Sequence, residues 1–586
     1  MRFIVAIVSF VIAFVAISYG IAQRTILAEP DHVAATTDVS TRAAVTFIDG
    51  AVLNANDGRQ KVLISGADTV FAAYGRTSDV LAWIGDTTYN SLEMDAETST
   101  LQNRLVPGAE SAVPDPHGSD LWLAEFTREK ELTFIVNVPK DISVVVVSDG
   151  TEPAPGQVSI TWPVDNRTPW SGPLIVGGML LLLAGLGLYL WALSHLRKAR
   201  GPRRRPPKMP KPPKRTRYKP QKQKAIAVSR GRRAAGRVGM TVPVLLIGSL
   251  ALAGCTAESW PEFLGGSAET PSPAPTATAS PIVTDKPPVV SVSQLESIVS
   301  KVAVTAQQAD VARDSDLIKT RFAGPALQLR EANYAIRRVD NSYAQLAAIP
   351  SNPVEVTLPQ QNDKWPRTVF TVIQDPKDDT VPSTALMLVQ QSPRENYKAV
   401  YVVQLEASAG TLPAMAAAEV GTQRLQPDVK LFALAPDQLA VDYGDVLLKG
   451  EASEFFKLFD LENDSLYKSI GFDAKQQRRA SIPAIASMEF GSAIGEGEII
   501  PMVTNDNGAI VAVYLNETET VRPAEAGAII NAEGAVKSLS GVSSTTKGTI
   551  ATYGDQLLFY LPPSTSDRKI QLIGWASGLI AAREYS

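Results

Sequence analysis

The chain has 586 residues, of which 45% are hydrophobic and 20% are charged, so several ordinary globular domains are expected and a wholly disordered or collagen-like chain is excluded. The formal net charge of −4 conceals a cationic segment, 197–237, with 18 Lys and Arg residues and no acidic residue, which leaves 38 basic and 60 acidic groups elsewhere. The single cysteine, Cys255, excludes intrachain disulfides, thiolate zinc sites and iron–sulfur clusters.

The first apolar segment, residues 3–22, contains 20 residues without a charge. At about 1.5 Å per residue, such a helix spans the roughly 30 Å hydrocarbon core of a bilayer. We therefore predict a transmembrane anchor over residues 1–22. A cleaved signal peptide is the alternative, because Gly20-Ile21-Ala22 resembles a small-residue cleavage site.

Residues 23–172 carry short apolar and β-branched runs that are separated by turn residues such as Asn56-Asp57-Gly58. The runs are 44–48, 61–64, 69–74, 80–84, 121–126, 132–138, 142–147 and 158–162. This pattern predicts an extracellular, antiparallel, all-β sandwich. His117 lies in a polar stretch between Asp115 and Asp120, and we expect a loop there, because the further ligands of a metal site are missing.

A second apolar segment, residues 173–196, is predicted to be another transmembrane helix with aromatic residues near both ends. Its four glycines indicate either close helix packing or positions where glycine is merely tolerated. The basic, Pro-rich stretch 197–239 follows directly, and positive loops stay in the cytoplasm. Residues 23–172 are therefore expected outside, and the basic loop is expected to contact anionic membrane lipids rather than nucleic acid.

The third apolar segment, residues 240–255, ends in the sequence Leu252-Ala253-Gly254-Cys255 after the basic leader. It resembles the lipobox of bacterial lipoprotein signal peptides, which implies cleavage after Gly254 and lipidation of Cys255. The alternative is a third transmembrane helix over about 238–257 with Cys255 as an inert thiol. Either interpretation delivers residues 256–586 to the extracytoplasmic side.

Residues 256–288 are rich in Pro, Ser, Thr and Ala, a composition that predicts an extended linker. The capping-box pattern from Ser293 to Glu296 predicts a helix start, and a second helix is expected near Pro325. Strand-like runs then follow at 369–373, 385–389 and 399–405. We therefore predict an α+β unit over residues 289–435.

The same helix-then-strand order recurs over residues 436–586, where a helix can open at Pro436 before strand-like runs at 510–515, 549–553, 556–561 and 569–574. The C-terminal half is thus a predicted α+β module, with two helix-then-antiparallel-sheet units as one option. In each unit, this order of helices and strands resembles that of nuclear-transport-factor-2-like cones. The order of membrane segments and domains, together with two short sequence segments, also resembles uncharacterised actinobacterial envelope proteins, which are sometimes labelled glycosyltransferases. The two segments are Gly118-Ser119-Asp120-Leu121-Trp122 and Tyr553-Gly554-Asp555-Gln556-Leu557-Leu558-Phe559-Tyr560.

No catalytic, metal-binding or cofactor-binding residue is assigned from the sequence. Asp314-Ser315-Asp316 matches a metal-nucleotide pattern of glycosyltransferases, but it lies beside a helical segment and is expected to be a helix cap. No histidine follows His195, which excludes Ser-His-Asp and Cys-His sites from the C-terminal half. Gly495-Glu496-Gly497 lacks the remaining spacing of a nucleotide-binding loop and predicts a turn.

The sequence thus favours a multidomain, membrane-anchored cell-envelope protein with a non-catalytic scaffold, sensor or ligand-binding role. Its expected partners are membrane lipids and an envelope protein or a cell-wall ligand. The alternative is an envelope-polysaccharide enzyme such as a glycosyltransferase. A cavity with convergent carboxylates would favour the enzyme, and an apolar or featureless cavity would favour the binding role.

Overall fold

The computed structural model describes residues 2–28, 30–39, 43–95, 100–164, 168–199, 286–374, 381–406 and 412–586. Leu252, Ala253, Gly254 and Cys255 lie outside these ranges, as do most of the basic loop and of the linker. The chain divides into two compact units. One unit holds two long apolar helices, and the other holds residues 35–55, 60–160 and 281–586.

The described elements of the N-terminal part are four helices and eight strands. The helices are α1 (Arg2–Thr25), α2 (Gly50–Leu53), α3 (Thr77–Ile84) and α4 (Ser171–Ala199). The strands are β1 (His32–Asp38), β2 (Val45–Ile48), β3 (Gln60–Arg76), β4 (Tyr89–Asp95), β5 (Thr100–Val106), β6 (Ala124–Val136), β7 (Ile142–Val147) and β8 (Gln157–Pro163).

The N-terminal strands form one connected eight-stranded sheet in the order β1-β8-β3-β7-β2-β4-β5, with β6 paired to β3. Strands β2 and β4 run parallel, so the sheet is mixed and the predicted antiparallel all-β sandwich was wrong in this respect. Residues 80–84, predicted as a strand, belong to helix α3. Val80, Trp83 and Ile84 are buried at helical i, i+3, i+4 spacing, a pattern that the apolar run concealed.

Among the described residues, two helices are long and apolar enough to cross a membrane, Phe3–Thr25 and Ser171–Arg197. They pack against each other along small residues at seven-residue spacing, namely Ala6, Ala13 and Gly20 on α1 and Gly178, Gly185 and Ala192 on α4. A Cβ on Gly178 would lie 2.7 Å from Ile17 Cγ1, whereas one on Gly177 or Gly187 would meet nothing within 4 Å. Two of the four glycines therefore permit close packing, and two do not contribute to it.

The C-terminal part, residues 286–586, contains seven α-helices and eleven strands within its described ranges. The helices are α5 (Val292–Ala312), α6 (Ser315–Lys319), α7 (Gly324–Val339), α8 (Leu439–Lys449), α9 (Ser465–Ile470), α10 (Phe472–Ser481) and α11 (Gly534–Ser540). The strands are β9 (Val354–Pro359), β10 (Arg367–Ile373), β11 (Thr384–Gln390), β12 (Lys398–Leu405), β13 (Ala486–Ile494), β14 (Ile500–Val503), β15 (Ala509–Pro523), β16 (Ile530–Asn531), β17 (Ser544–Thr545), β18 (Thr549–Leu561) and β19 (Gln571–Glu584).

Strands from both sides of residue 435 form one nine-stranded sheet in the order β13-β15-β18-β19-β12-β11-β10-β9, with β14 paired to β15. The predicted boundary near residue 435 therefore does not separate two sheets. The connection is made by the last strand, because Gln404 and Leu405 of β12 pair with Trp575 and Gly574 of β19. A pairing across about 170 residues of chain leaves no local signal in the sequence.

Helices cover one face of this sheet with two apolar clusters. Helix α5 buries Leu295, Ile298 and Val302 against residues of β10 and β11, and helix α8 buries Tyr443 and Leu447 against β15 and β18. The other face holds a third cluster with residues from distant strands, including Phe370, Met387, Ile510 and Tyr560. Because β10 and β15 lie far apart in the strand order, the sheet must curve strongly to bring these side chains together.

The start of helix α5 differs from its predicted position by two residues. Ser291 is the N-cap, its hydroxyl accepts a hydrogen bond from Gln294 N, and the Gln294 side chain returns to Ser291 N. The expected cap at Ser293 with Glu296 was therefore wrong, because an equivalent Ser-x-x-Gln pair lies two residues earlier. Helix α7 begins at Gly324 with Pro325 in its first turn, as predicted.

The N-terminal sheet and the C-terminal domain, residues 286–586, belong to the same compact unit. We call residues 35–55 and 60–160 the sheet domain, and the contact between the two the domain interface. Two buried ion pairs lie in it, Arg367–Asp79 and Arg321–Asp120. The two parts are therefore joined directly as well as through the chain.

Candidate ligand-binding site

The C-terminal domain contains a cavity of about 440 Å³ on the helix-covered face of its sheet. We call it the polar cavity, because charged and hydroxyl-bearing residues line much of its wall. Strands β15, β18 and β19 form the floor, and helices α10 and α11 and strand β13 form the sides. Its principal lining residues are Tyr343, Lys475, Arg478, Phe490, Glu517, Glu519, Glu533, Tyr553, Asp555, Ser577 and Leu579.

Strand pairing brings the acidic residues of the floor together. In the antiparallel register, Leu515 faces Asp555 and Glu517 faces Tyr553, so Glu517 and Asp555 are diagonal neighbours with Cβ atoms about 7 Å apart. Both continue the face on which Val513 and Leu557 are packed in the core. The apolar face of the sheet thus becomes acidic where it reaches the cavity.

Glu517 is held by a buried ion pair with Lys475 of α10. The Lys475 ammonium donates to both carboxylate oxygens of Glu517, at 2.8 and 3.2 Å, and also to the carbonyl of Ile470. Both side chains are buried, with exposed fractions of 4% for Lys475 and 10% for Glu517. Burial raises the pKa of Glu517, and the nearby positive charge of Lys475 opposes this effect.

Asp555 lies beside this pair with an exposed fraction of 0%. Neither of its carboxylate oxygens has a hydrogen-bond partner in the part of the chain that the structure describes. Burial, and next the negative charge of Glu517, raise the pKa of Asp555 to about 7. The Ser577 hydroxyl, opposite Asp555 on β19 but outside hydrogen-bonding geometry, and the charge of Lys475 counteract the rise. Asp555 is therefore a buried acid that changes its protonation state near neutral pH.

The side wall of the cavity combines cations with an aromatic ring. Arg478 forms an ion pair with Glu519, which belongs to the floor. The cationic groups of Lys475, Arg478 and Arg479 lie 5.7, 5.4 and 5.2 Å from the centre of the Phe490 ring. Four acidic and two basic residues line the cavity, giving it a formal charge of −2.

A second cavity, of about 480 Å³, adjoins the first and shares Ser577 with it. Its wall is mainly apolar and includes Leu329, Leu346, Leu405 and Trp575. At its edge the Trp575 indole Nε1 donates to Glu406 Oε1 at 3.0 Å. Two charged residues, Arg330 and Glu406, also line this apolar cavity.

Asp314, Asp316 and His117 do not line the polar cavity, whereas the segment from Tyr553 to Tyr560 contributes Tyr553 and Asp555 to its wall. Asp314 is the N-cap of α6 and accepts hydrogen bonds from the backbone N of Asp316 and Leu317, which confirms the predicted helix cap. His117 contacts Asp115 and Thr127 in a loop. No cluster of three or more His, Cys, Asp or Glu residues suited to a metal occurs in the described ranges.

Sequence reasoning missed Asp555, Glu517 and Lys475. Polar residues that alternate with apolar ones along a strand normally face solvent, and Lys475 lies in a short, mostly polar helix. One signal was available: Asp555 stands inside the apolar run of β18, where a carboxylate is costly to bury.

Comparisons with known proteins identify a relationship without an activity. A family model described as Domain of unknown function (DUF8094) matches residues 286–584, which is half of the chain and nearly all of the C-terminal domain. No curated protein and no solved structure matches the chain.

Proposed function

The chain belongs to the family described as a domain of unknown function (DUF8094), and from its geometry we propose a membrane-anchored cell-envelope protein that binds a small ligand without transforming it. The observation that carries the proposal is Asp555, which is buried and lacks a hydrogen-bond partner among the described residues, in the wall of the polar cavity. A buried polar group without a partner destabilises a fold, so a ligand that supplies the missing donor would compensate directly.

The charge of the cavity indicates what kind of ligand it accepts. The formal charge of −2 and the aromatic rings of Tyr343 and Tyr553 favour a positively charged amine. Docking of an amine beside Asp555 would favour the carboxylate form and lower its pKa. The ligand class that we propose is therefore a small amine, including amino sugars.

The membrane arrangement is part of the same proposal. Helices α1 and α4 would cross the bilayer, and the basic residues that begin at Arg197 favour a cytoplasmic position for the end of α4. The sheet domain between them would then be outside. The domain interface requires the C-terminal domain on that same side, so the chain would return across the membrane between residues 199 and 286. A lipobox at Cys255 and a third transmembrane helix both provide such a return.

Calorimetry on the full-length protein in detergent tests the binding role. Glucosamine and N-acetylglucosamine form a matched pair of probes, because only the first carries a charged amine. We expect glucosamine to bind more tightly than N-acetylglucosamine, and Asp555→Asn to weaken glucosamine binding at least tenfold. Asp567→Asn is the control, since Asp567 is exposed and outside the cavity. Equal affinity of the unmutated protein for both probes would contradict the proposal. Equal affinity of Asp555→Asn and the unmutated protein for glucosamine would also contradict it.

One observation favours the second candidate, an envelope-polysaccharide enzyme. Glu517 and Asp555 converge in one cavity, and Asp555, with a pKa of about 7, could donate a proton as the general acid of glycoside hydrolysis. This role would need Glu517 to act as the second carboxylate after release from Lys475. Hydrolysis of p-nitrophenyl glycosides by the unmutated protein, abolished by both Glu517→Gln and Asp555→Asn, would establish the enzyme and overturn the binding role.

A further inference from the structure

The domain interface contains a buried ion pair between charges from both domains. Arg367 Nη2 of β10 lies 2.6 Å from Asp79 Oδ1 of α3, and each side chain has an exposed fraction of 2%. The Arg367 guanidinium also stacks on Trp365, 3.7 Å from the ring centre. Trp365 in turn packs against the apolar core of the sheet domain. The first residue of β10 thus contributes a charge, and Trp365 just before the strand contributes an aromatic ring, to the contact with the other domain.

Asp120 of the sheet domain forms the second buried contact. Its carboxylate accepts hydrogen bonds from Arg321 Nη1, from the backbone N of Tyr397 at 2.9 Å and from Lys301 Nζ at 3.3 Å, and its side chain is fully buried. The backbone N of Asp120 donates to Asn396 Oδ1 at 2.9 Å. All of these donors and acceptors outside Asp120 belong to the C-terminal domain.

Arg394 of the C-terminal domain binds the end of helix α3. Its guanidinium donates to the carbonyls of Trp83 and Ile84 at 2.9 and 2.8 Å, and to Thr87 Oγ1 at 2.9 Å. A cation at a helix C-terminus satisfies free carbonyls and complements the helix dipole. Arg394 also forms an ion pair with Glu110, with 2.7 Å between Nη1 and Oε2. This set of contacts fixes one orientation of the two domains.

We infer that the domain interface holds the two halves together without the covalent chain between them. Desolvated charges that are paired across a contact, with an aromatic residue beside them, are typical of specific complexes. A cut at Gly254-Cys255, which the lipobox predicts, would then leave a two-chain complex. The N-terminal fragment would be the membrane-bound receptor for residues 255–586. This inference does not depend on the polar cavity or on its ligand.

The test uses full-length protein in isolated membranes, with a specific protease site inserted after residue 275. Cleavage there leaves residues 276–586 without either membrane helix, without the apolar segment and without Cys255. We expect this fragment to sediment with the membranes after cleavage. Its release from the otherwise unmutated protein would overturn the inference.

Substitutions at the interface separate specific binding from folding. Arg367→Met leaves Asp79 buried without its partner, and we expect about 100-fold weaker binding and release of the fragment. The double variant Asp79→Leu with Arg367→Met removes both charges and should restore sedimentation, which a mere folding defect of Arg367→Met would not allow. Arg583→Met, at an exposed position, is the control. Retention of the Arg367→Met fragment, or no recovery in the double variant, would contradict the assigned role of the pair.

Discussion

Replacing Asp555 by Asn should make the protein more stable, and the gain should grow with pH. The folded state holds the proton of Asp555 with a pKa of about 7, against an ordinary value of 3.8. A carboxyl group whose pKa is raised on folding stabilises the fold fully at low pH, and that stability is lost as the pH rises through the folded pKa. The loss therefore falls between about pH 4 and pH 7.

The magnitude follows from the width of that interval. Each pH unit between the two values changes the free energy of unfolding by about 1.4 kcal/mol, so ionising Asp555 costs on the order of 4 kcal/mol above pH 7. Asn has a similar shape and no charge, and it avoids this cost. Since roughly 2–4 °C of melting temperature corresponds to 1 kcal/mol in domains of 150–250 residues, a difference of about 4 kcal/mol corresponds to roughly 8–16 °C.

The assay is thermal unfolding of the full-length protein in detergent, from pH 4.5 to pH 8, for the unmutated protein, Asp555→Asn and Asp567→Asn. Other buried acids also titrate, among them Asp464 with a pKa of about 6, so the quantity of interest is the difference between unmutated protein and variant. We expect that difference to be small at pH 4.5 and largest at pH 8. A difference independent of pH would refute the reasoning, because Asp555 would then keep one protonation state throughout.

Three further predictions concern other parts of the chain. Gly178→Leu should destabilise the packing of α1 against α4, because a Cβ at residue 178 would lie 2.7 Å from Ile17 Cγ1 and 3.0 Å from Ala13 O. Gly177→Leu is the control, because a Cβ at residue 177 would meet nothing within 4 Å. Thermal unfolding in detergent compares the two variants. Asp314→Ala should cost about 1 kcal/mol through loss of the α6 cap, and neither it nor Asp316→Ala should change Mn²⁺ binding by calorimetry. Cys255→Ala should abolish labelling by an alkyne fatty acid and should prevent the appearance of a fragment of residues 255–586. If the unmutated protein stays full-length and unlabelled, the lipobox interpretation is contradicted.

Local patterns predicted local structure well. Helix α7, the cap at Asp314 and the strands β7, β10, β11 and β12 were predicted within about two residues of their observed bounds. Each depends on neighbours in sequence, through side-chain periodicity or a hydrogen bond to the next turn. Helix α3 was missed because its short apolar run satisfies a strand pattern as well as a helical one.

Long-range pairings decide the rest of the fold and the whole site. The parallel pair β2–β4 and the β12–β19 contact join segments that are distant in sequence, and no residue there marks its partner. The polar cavity depends on the same pairings, because only the register of β15 and β18 brings Glu517 beside Asp555. The sequence shows a carboxylate, Asp555, within the apolar run of β18, but it does not show that this carboxylate lacks a hydrogen-bond partner among the described residues.

Native mass spectrometry tests the central claim most directly. The intact protein is released from membranes of its native host at neutral pH, and its mass is compared with those of Asp555→Asn and Asp567→Asn. The binding role predicts a small amine that accompanies the unmutated protein and Asp567→Asn and is lost from Asp555→Asn. A mass equal to that of the bare polypeptide for each of the three proteins would contradict it.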